Sequence, residues 1–244
     1  MTTRPDAAML EPTVADAVAA VDGTFGAVFE QIDSWRAQIE ERVAQSGGVI
    51  AVAEVDELVE TLVVPGLGAE NALIIGAGFV ASPGFISDAQ WHLAWWLGHA
   101  NTFGVGSADP ALRRLEAEED PTSESFRDYT TLEWWRVPAA TRAPHITGPY
   151  VDYLCTDDYT LTLTVPVMHG ERMIGVAGAD LYVNDIERAL LPHVRAIGAA
   201  TVINASRRVV VSTDPHRPTG SILRPDVAGA TIDCGQTSLV LVLG

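Results

Sequence analysis

Apolar residues recur three or four positions apart from Val14 through Val18, Val21, Phe25, Val28, Ile32, Trp35 and Ile39 to Val43. That spacing predicts one long amphipathic helix. Thr13, with Asp16 three positions on, offers a cap at its start, and Gly47-Gly48 ends it. Gly23 and Gly26 each weaken its interior by about 1 kcal/mol relative to alanine. Such a seam can lie along the chain's own sheet or pair with a second subunit, and the two are compatible. A second helix is predicted over 54–64, where Val55, Leu58, Val59 and Leu62 share a face before Pro65-Gly66 stops it. Strands are expected over 72–80 and 91–98. Residues 105–147 are polar, acidic and punctuated by proline, with one short helix expected over 109–118. Strands over 159–167 and 172–182 follow, joined by a tight turn at His169-Gly170. Asn184, with Glu187 three positions later, can cap a helix running to about Ile197. The tail, 199–244, reads as three short strands between proline and glycine loops. No internal repeat or low-complexity tract occurs.

Composition narrows the function classes. Apolar residues make up 48% and charged residues 19%, a globular balance. The net charge of −17 disfavours nucleic acid and anionic membrane as partners. All fifteen basic residues are arginines, which removes Schiff-base chemistry and any P-loop lysine. Cys155 and Cys234 lack metal or redox spacing. No stretch reads as a signal peptide or a membrane span, so a soluble cytoplasmic protein without a cofactor or metal is expected.

The segment from Gly148 to Leu181 carries most of the functional information. It reads as an aromatic-acidic turn, a strand, a tight turn and a second strand ending in a carboxylate. On the second strand, alternation puts Ile174, Val176, Gly178 and Asp180 on one face. A carboxylate in phase with apolar positions costs several kcal/mol unless a partner is supplied. That partner is either the backbone of the turn that follows or a bound cation. Gly175 and Gly178, with Ala177 and Ala179, leave room over the strand for close helix packing or for a ligand. On the first strand Thr160, Thr162 and Thr164 form a stripe, most simply a solvated face and alternatively the wall of a polar cavity. Upstream lie Tyr129, Glu133, Trp134, Trp135, Tyr150 and Asp152, rings and carboxylates of the kind that attract ammonium groups. Two adjacent tryptophans on a strand cannot both face inward, so one needs another environment. Trp95 is a further pocket candidate. The run Gly76 to Ala81 fits a dinucleotide fingerprint by letter, but Pro83-Gly84 stand where its helix should open. The six histidines form no metal or nucleophile–base motif.

These features resemble Cache domains, the PAS-like (PDC) sensor modules of bacterial receptors, over residues 10–195. The amino-acid-binding double Cache branch carries a motif of tyrosine, arginine, tryptophan, aromatic, proline-tyrosine and a closing aspartate. Trp134 and Trp135 match the aromatic pair, Tyr150 the proline-tyrosine with Asp152 just after it, and Asp180 the closing aspartate. Leu132 stands at the arginine position, and Arg136 is nearby in a different phase. The resemblance thus implies that the amine half of the site is kept and the carboxylate half lost. It implies an α+β fold: a long N-terminal helix on a central antiparallel sheet (1–195), with a β-rich extension (196–244) like the opening of a second module. The expected function is a non-catalytic sensor of a small cationic amine that dimerises along the N-terminal helix and signals to a separate regulator protein. Two alternatives stand beside it: an enzyme acting on an amine with Asp180 or His145 as base, and a coiled-coil scaffold without ligand.

Overall fold

Two strands of eleven residues, β5 (Tyr159–His169) and β6 (Arg172–Tyr182), form the spine of the molecule. They belong to a six-stranded sheet of order β3-β2-β1-β6-β5-β4, antiparallel throughout. Its other members are β1 (Ile74–Ala81), β2 (Leu93–Leu97), β3 (Arg113–Arg114) and β4 (His145–Val151). The computed structural model describes residues 12–244 apart from 70–71, 102–111, 153–155, 157, 226–228 and 236. Helices α1 (Pro12–Gln45), α2 (Val52–Leu67) and α4 (Val183–Ile197) cover one face of the sheet, and α3 (Glu133–Thr141) lies on the other. This is the α+β arrangement expected above, a long N-terminal helix on a central antiparallel sheet.

The apolar seam of α1 is used within the chain. Phe25, Ile32, Ile39 and Val43 are fully buried in one core with Leu161, Leu163, Ala177 and Ala179 of the sheet and Ile186 and Leu190 of α4. Gly47 and Gly48 end the helix as predicted, at φ 67° and 85°, and the Gly48 N–H caps Val43 O at 2.9 Å. Thr13 lies inside the helix and is therefore not its cap. Helix α2 runs through Pro65 to Leu67, because a proline near the end forfeits one hydrogen bond where few remain to lose. Likewise α4 starts from Tyr182, which places Asn184 in its first turn and not at its cap.

Three other expectations change. Residues 112–118 hold the short strand β3 and extended chain, with no helix; the rest of the predicted helix, 109–111, lies outside the described residues. Residues 145–151 form a strand, β4, that the aromatic-acidic turn had concealed; its register with β5 shifts between Thr147 and Tyr150. Ile174 points into the helix-side core, since the β5–β6 register slips between Val167 and Met168 and reverses the alternation there.

Beyond α4 the tail makes its own four-stranded antiparallel sheet, order β8-β7-β10-β9, one strand more than predicted. Its strands are β7 (Ala200–Ile203), β8 (Val209–Ser212), β9 (Ala230–Cys234) and β10 (Leu239–Leu243). The buried Asn204 ties it to β4, donating from Nδ2 to Gly148 O at 2.7 Å and Ile146 O at 3.3 Å.

Candidate ligand-binding site

Strand register builds the floor of the site. On the face turned from the long helices, cross-strand neighbours form two rows. Leu97, Gly76, Asp180, Thr162 and Thr147 make one; Trp95, Gly78, Gly178, Thr164 and His145 make the next. The glycines matter here. A Cβ on Gly78 would stand 2.1 Å from Ala94 O, one on Gly178 2.8 Å from Leu163 O, and one on Gly76 2.9 Å from Trp95 Nε1. The room foreseen over this sheet is therefore filled largely by the Trp95 indole, which lies across the glycines. What remains is a small cavity lined by Val80, Leu93, Trp95, Leu115, Trp134 and Val176, with Asp152, Thr162, Thr164 and Asp180 as its polar residues. Its volume is about 20 Å³, the size of one water molecule.

The threonine stripe is not a solvated face. Thr160, Thr162 and Thr164 are all buried, Thr164 against Trp134 of α3, Thr162 against Tyr150 of β4 and Thr160 against Thr156. Each hydroxyl has a structural use. Thr164 donates to Trp134 O at 2.8 Å and pins α3 to the sheet. Thr162 donates to Asp180 Oδ1 at 2.7 Å and shares a 2.8 Å hydrogen bond with the Tyr150 hydroxyl, which in turn reaches Asp152 Oδ2 at 3.3 Å. Tyr150, Thr162, Asp152 and Asp180 thus form one connected network ending in two carboxylates, both about 95% buried or more. Thr156 and Thr160 share a separate hydroxyl contact at 3.0 Å.

The predicted aromatic residues sit at two depths. Trp134 and Trp95 line the cavity. Tyr129 and Trp135 pack behind Trp134, with ring centroids 5.2 Å apart and Tyr129 stacked on Trp134 at 6.1 Å. The Tyr129 hydroxyl is held by Ala81 O at 2.7 Å, and burial raises its pKa well above the ordinary phenol value. Both tryptophans are buried because they lie on a helix, where adjacent positions sit about 100° apart and can enter one core. Glu133 turns elsewhere. Its Oε1 accepts from His145 Nε2 at 3.0 Å and from Ser206 Oγ at 2.8 Å, and these contacts hold its carboxyl below the usual range. Thr162, Thr164 and Leu115 were not among the predicted site residues; strand phase shared with Asp180 was the signal that could have found the two threonines.

One edge of the cavity is strapped down. Leu115 belongs to a segment whose Glu119 accepts from Leu93 N at 2.9 Å and contacts His92 Nδ1 at 3.1 Å, while His92 Nε2 meets Asp56 of α2 at 2.9 Å. Burial of His92 opposes its charge, yet the hydrogen bonds to Asp56 and Glu119 win and raise its pKa to about 9. Among the described residues no His, Cys, Asp and Glu group has metal-site geometry, and no helix is long and apolar enough to cross a membrane.

Comparison with known proteins places this geometry. Residues 100–188, from the segment before β3 into α4, match the family model described as methyl-accepting chemotaxis protein-like, first PDC sensor domain. A search of curated proteins finds no match. Among solved structures, methyl-accepting chemotaxis protein X is similar at a TM-score of 0.63 and 15% identity, covering 94% of each chain. The ligand-binding domain of the Pseudomonas fluorescens chemoreceptor CtaA, solved with L-leucine, is similar at 0.56 and 14%, covering 93% of this chain and 87% of that one. The ligand-binding domain of the Pseudomonas aeruginosa amino-acid chemoreceptor PctC, solved with GABA, is similar at 0.52 and 13%, covering 93% of this chain and 94% of that one. At these identities the likeness is one of fold.

Proposed function

We propose that this protein is a non-catalytic sensor that binds a small cationic amine lacking a carboxylate and passes the state on to a separate partner. The observation that carries this reading is the charge of the cavity: its described lining holds two carboxylates and no basic residue. A desolvated ammonium gains charge-assisted hydrogen bonds there, and the face of Trp134 adds a cation–π term of roughly 0.5–2 kcal/mol. A ligand carboxylate would meet two like charges. The position at which the family motif has arginine is Leu132, the residue preceding α3. The solved neighbours named with leucine and GABA bind ligands bearing both an amine and a carboxylate, so the reading predicts a narrower ligand here. Dimerisation along α1 would use its outer face, with Ala19, Gly23 and Ala27, since the seam is buried against the chain's own sheet.

The test is a thermal-shift and calorimetric screen of amines, polyamines and amino acids. An amine hit at a hundred times its Kd stabilises by about 2.7 kcal/mol. Asp180→Ala should abolish it while the ligand is recovered unchanged. Amino acids binding in preference to their decarboxylated amines would defeat this reading. In that event Arg113, the cross-strand neighbour of Leu97 in the row that holds Asp180, is the cation whose replacement should remove them. Turnover of the amine on incubation would defeat the sensor role instead.

A further inference from the structure

Among the described residues the indole N–H of Trp95 has no hydrogen-bond partner, although the residue is only 4% exposed. An unmet buried donor is destabilising, so natural structures rarely keep one without use. Its position is informative. The ideal Cβ point of Gly76 lies 2.9 Å from Trp95 Nε1 and 3.4 Å from Asp180 Oδ2. The unmet donor and the carboxylate therefore flank the same glycine, at the end of the cavity where Thr162 bonds Asp180.

Resting on the amine reading above, we infer that the ligand is a small amino alcohol whose hydroxyl, on the carbon next to the amine-bearing one, accepts from Trp95 Nε1. A ligand group that reaches both must accept a hydrogen bond from the indole N–H while standing beside a carboxylate. A hydroxyl does both, accepting from nitrogen and donating to oxygen. An ether or carbonyl oxygen would set its lone pairs against those of Asp180, and a methyl group would leave the indole donor unmet. At about 20 Å³ the cavity is smaller than such a ligand, so Trp95 or the Leu115 segment must shift to admit it, which favours the smallest amino alcohols. In this arrangement the carboxylates select the ammonium and Trp95 selects the hydroxyl. Trp95 is thus the specificity-determining residue.

The experiment compares ethanolamine with propylamine, which differ by a hydroxyl for a methyl, on the full chain by calorimetry. Ethanolamine is expected to bind at least tenfold more tightly, and Trp95→Phe to shrink that ratio below threefold. Because the smaller ring can disturb packing, 15N-labelled indole resonances of the unmodified protein give a second reading; a Trp134→Phe sample identifies the other cavity indole. The Trp95 N–H signal should move downfield with ethanolamine and stay in place with propylamine. Equal binding of both amines would leave the amine reading standing and overturn this one, an ordered water then being the partner of the indole. A preference that survives Trp95→Phe, or a Trp95 signal unmoved by bound ethanolamine, would also overturn it. Binding of neither amine would overturn this inference, and the amine reading falls with it only if the wider screen of amines and polyamines also finds no ligand.

Discussion

His92 makes the stability of the cavity's edge depend on pH in a way that can be worked out in advance. Its pKa rises from 6.5 to about 9 on folding because Asp56 and Glu119 hold the imidazolium from both sides. The folded state therefore binds more protons than the unfolded state between those values, and stability falls as pH rises through that window. The stabilisation is fully present below about pH 6.5 and is lost by about pH 9. Its ceiling is about 3 kcal/mol, at roughly 1.4 kcal/mol per pH unit. Asp56 and Glu119 are partly exposed, and screening by solvent brings the expected loss to about 2 kcal/mol. For a chain of this size that is a fall in Tm of about 4–8 °C. Melting curves should be taken from pH 6.5 to 8.5. The Cys234 thiol, pushed up by burial from 9.0 to about 12, and the buried Tyr129 phenol add their own losses at higher pH. His92→Gln should flatten the profile over this range and lower stability at pH 6.5. A variant with the same slope as the unmodified protein would refute the reasoning. The effect reaches the cavity because the strap held by His92 carries Leu115.

Further outcomes follow from the same geometry. Gly78→Ala should destabilise the chain by about 3 kcal/mol or more, measured by urea unfolding, because the new methyl would meet the β2 backbone at 2.1 Å and not a yielding side chain. Thr162→Val should cost about 2–3 kcal/mol, since it removes a hydroxyl that donates to the buried Asp180 carboxylate, and it should weaken amine binding in the calorimeter. Ser206→Ala leaves Glu133 with His145 and should cost only about 1 kcal/mol. It should also raise amide exchange in the 204–208 turn, which is the link between α3 and the tail sheet.

The site was half legible in the chain. Asp180 stood out because a carboxylate in phase with apolar strand residues needs an explanation, and the structure places it in a buried network with Thr162, Tyr150 and Asp152. The ring pair Trp134-Trp135 was visible too, but its strand-like reading was wrong, since the short helix α3 has no periodic pattern long enough to declare itself. Glu133 looked like a cage member by proximity in sequence; helical geometry turns it toward His145 and Ser206. The threonine stripe misled for a different reason. Alternation says which residues share a face, but not whether that face meets water.

What the sequence determined by itself is periodicity, and with it the elements. The heptad-like seam set the length of α1, two glycines set its end, and alternation put Asp180 in phase with Val176 and Gly178 on β6 and the three threonines on one face of β5. Those features are local, fixed by backbone geometry and by the side chains three or four residues away. Only the tertiary structure decided which sheet face is dry, that the seam of α1 is used inside the chain, and that Trp95 lies over glycines contributed by two other strands. It also brought Asp56, His92 and Glu119 into one strap. Each of these depends on register between segments far apart in the chain, where a slip of one residue turns every side chain to the opposite face.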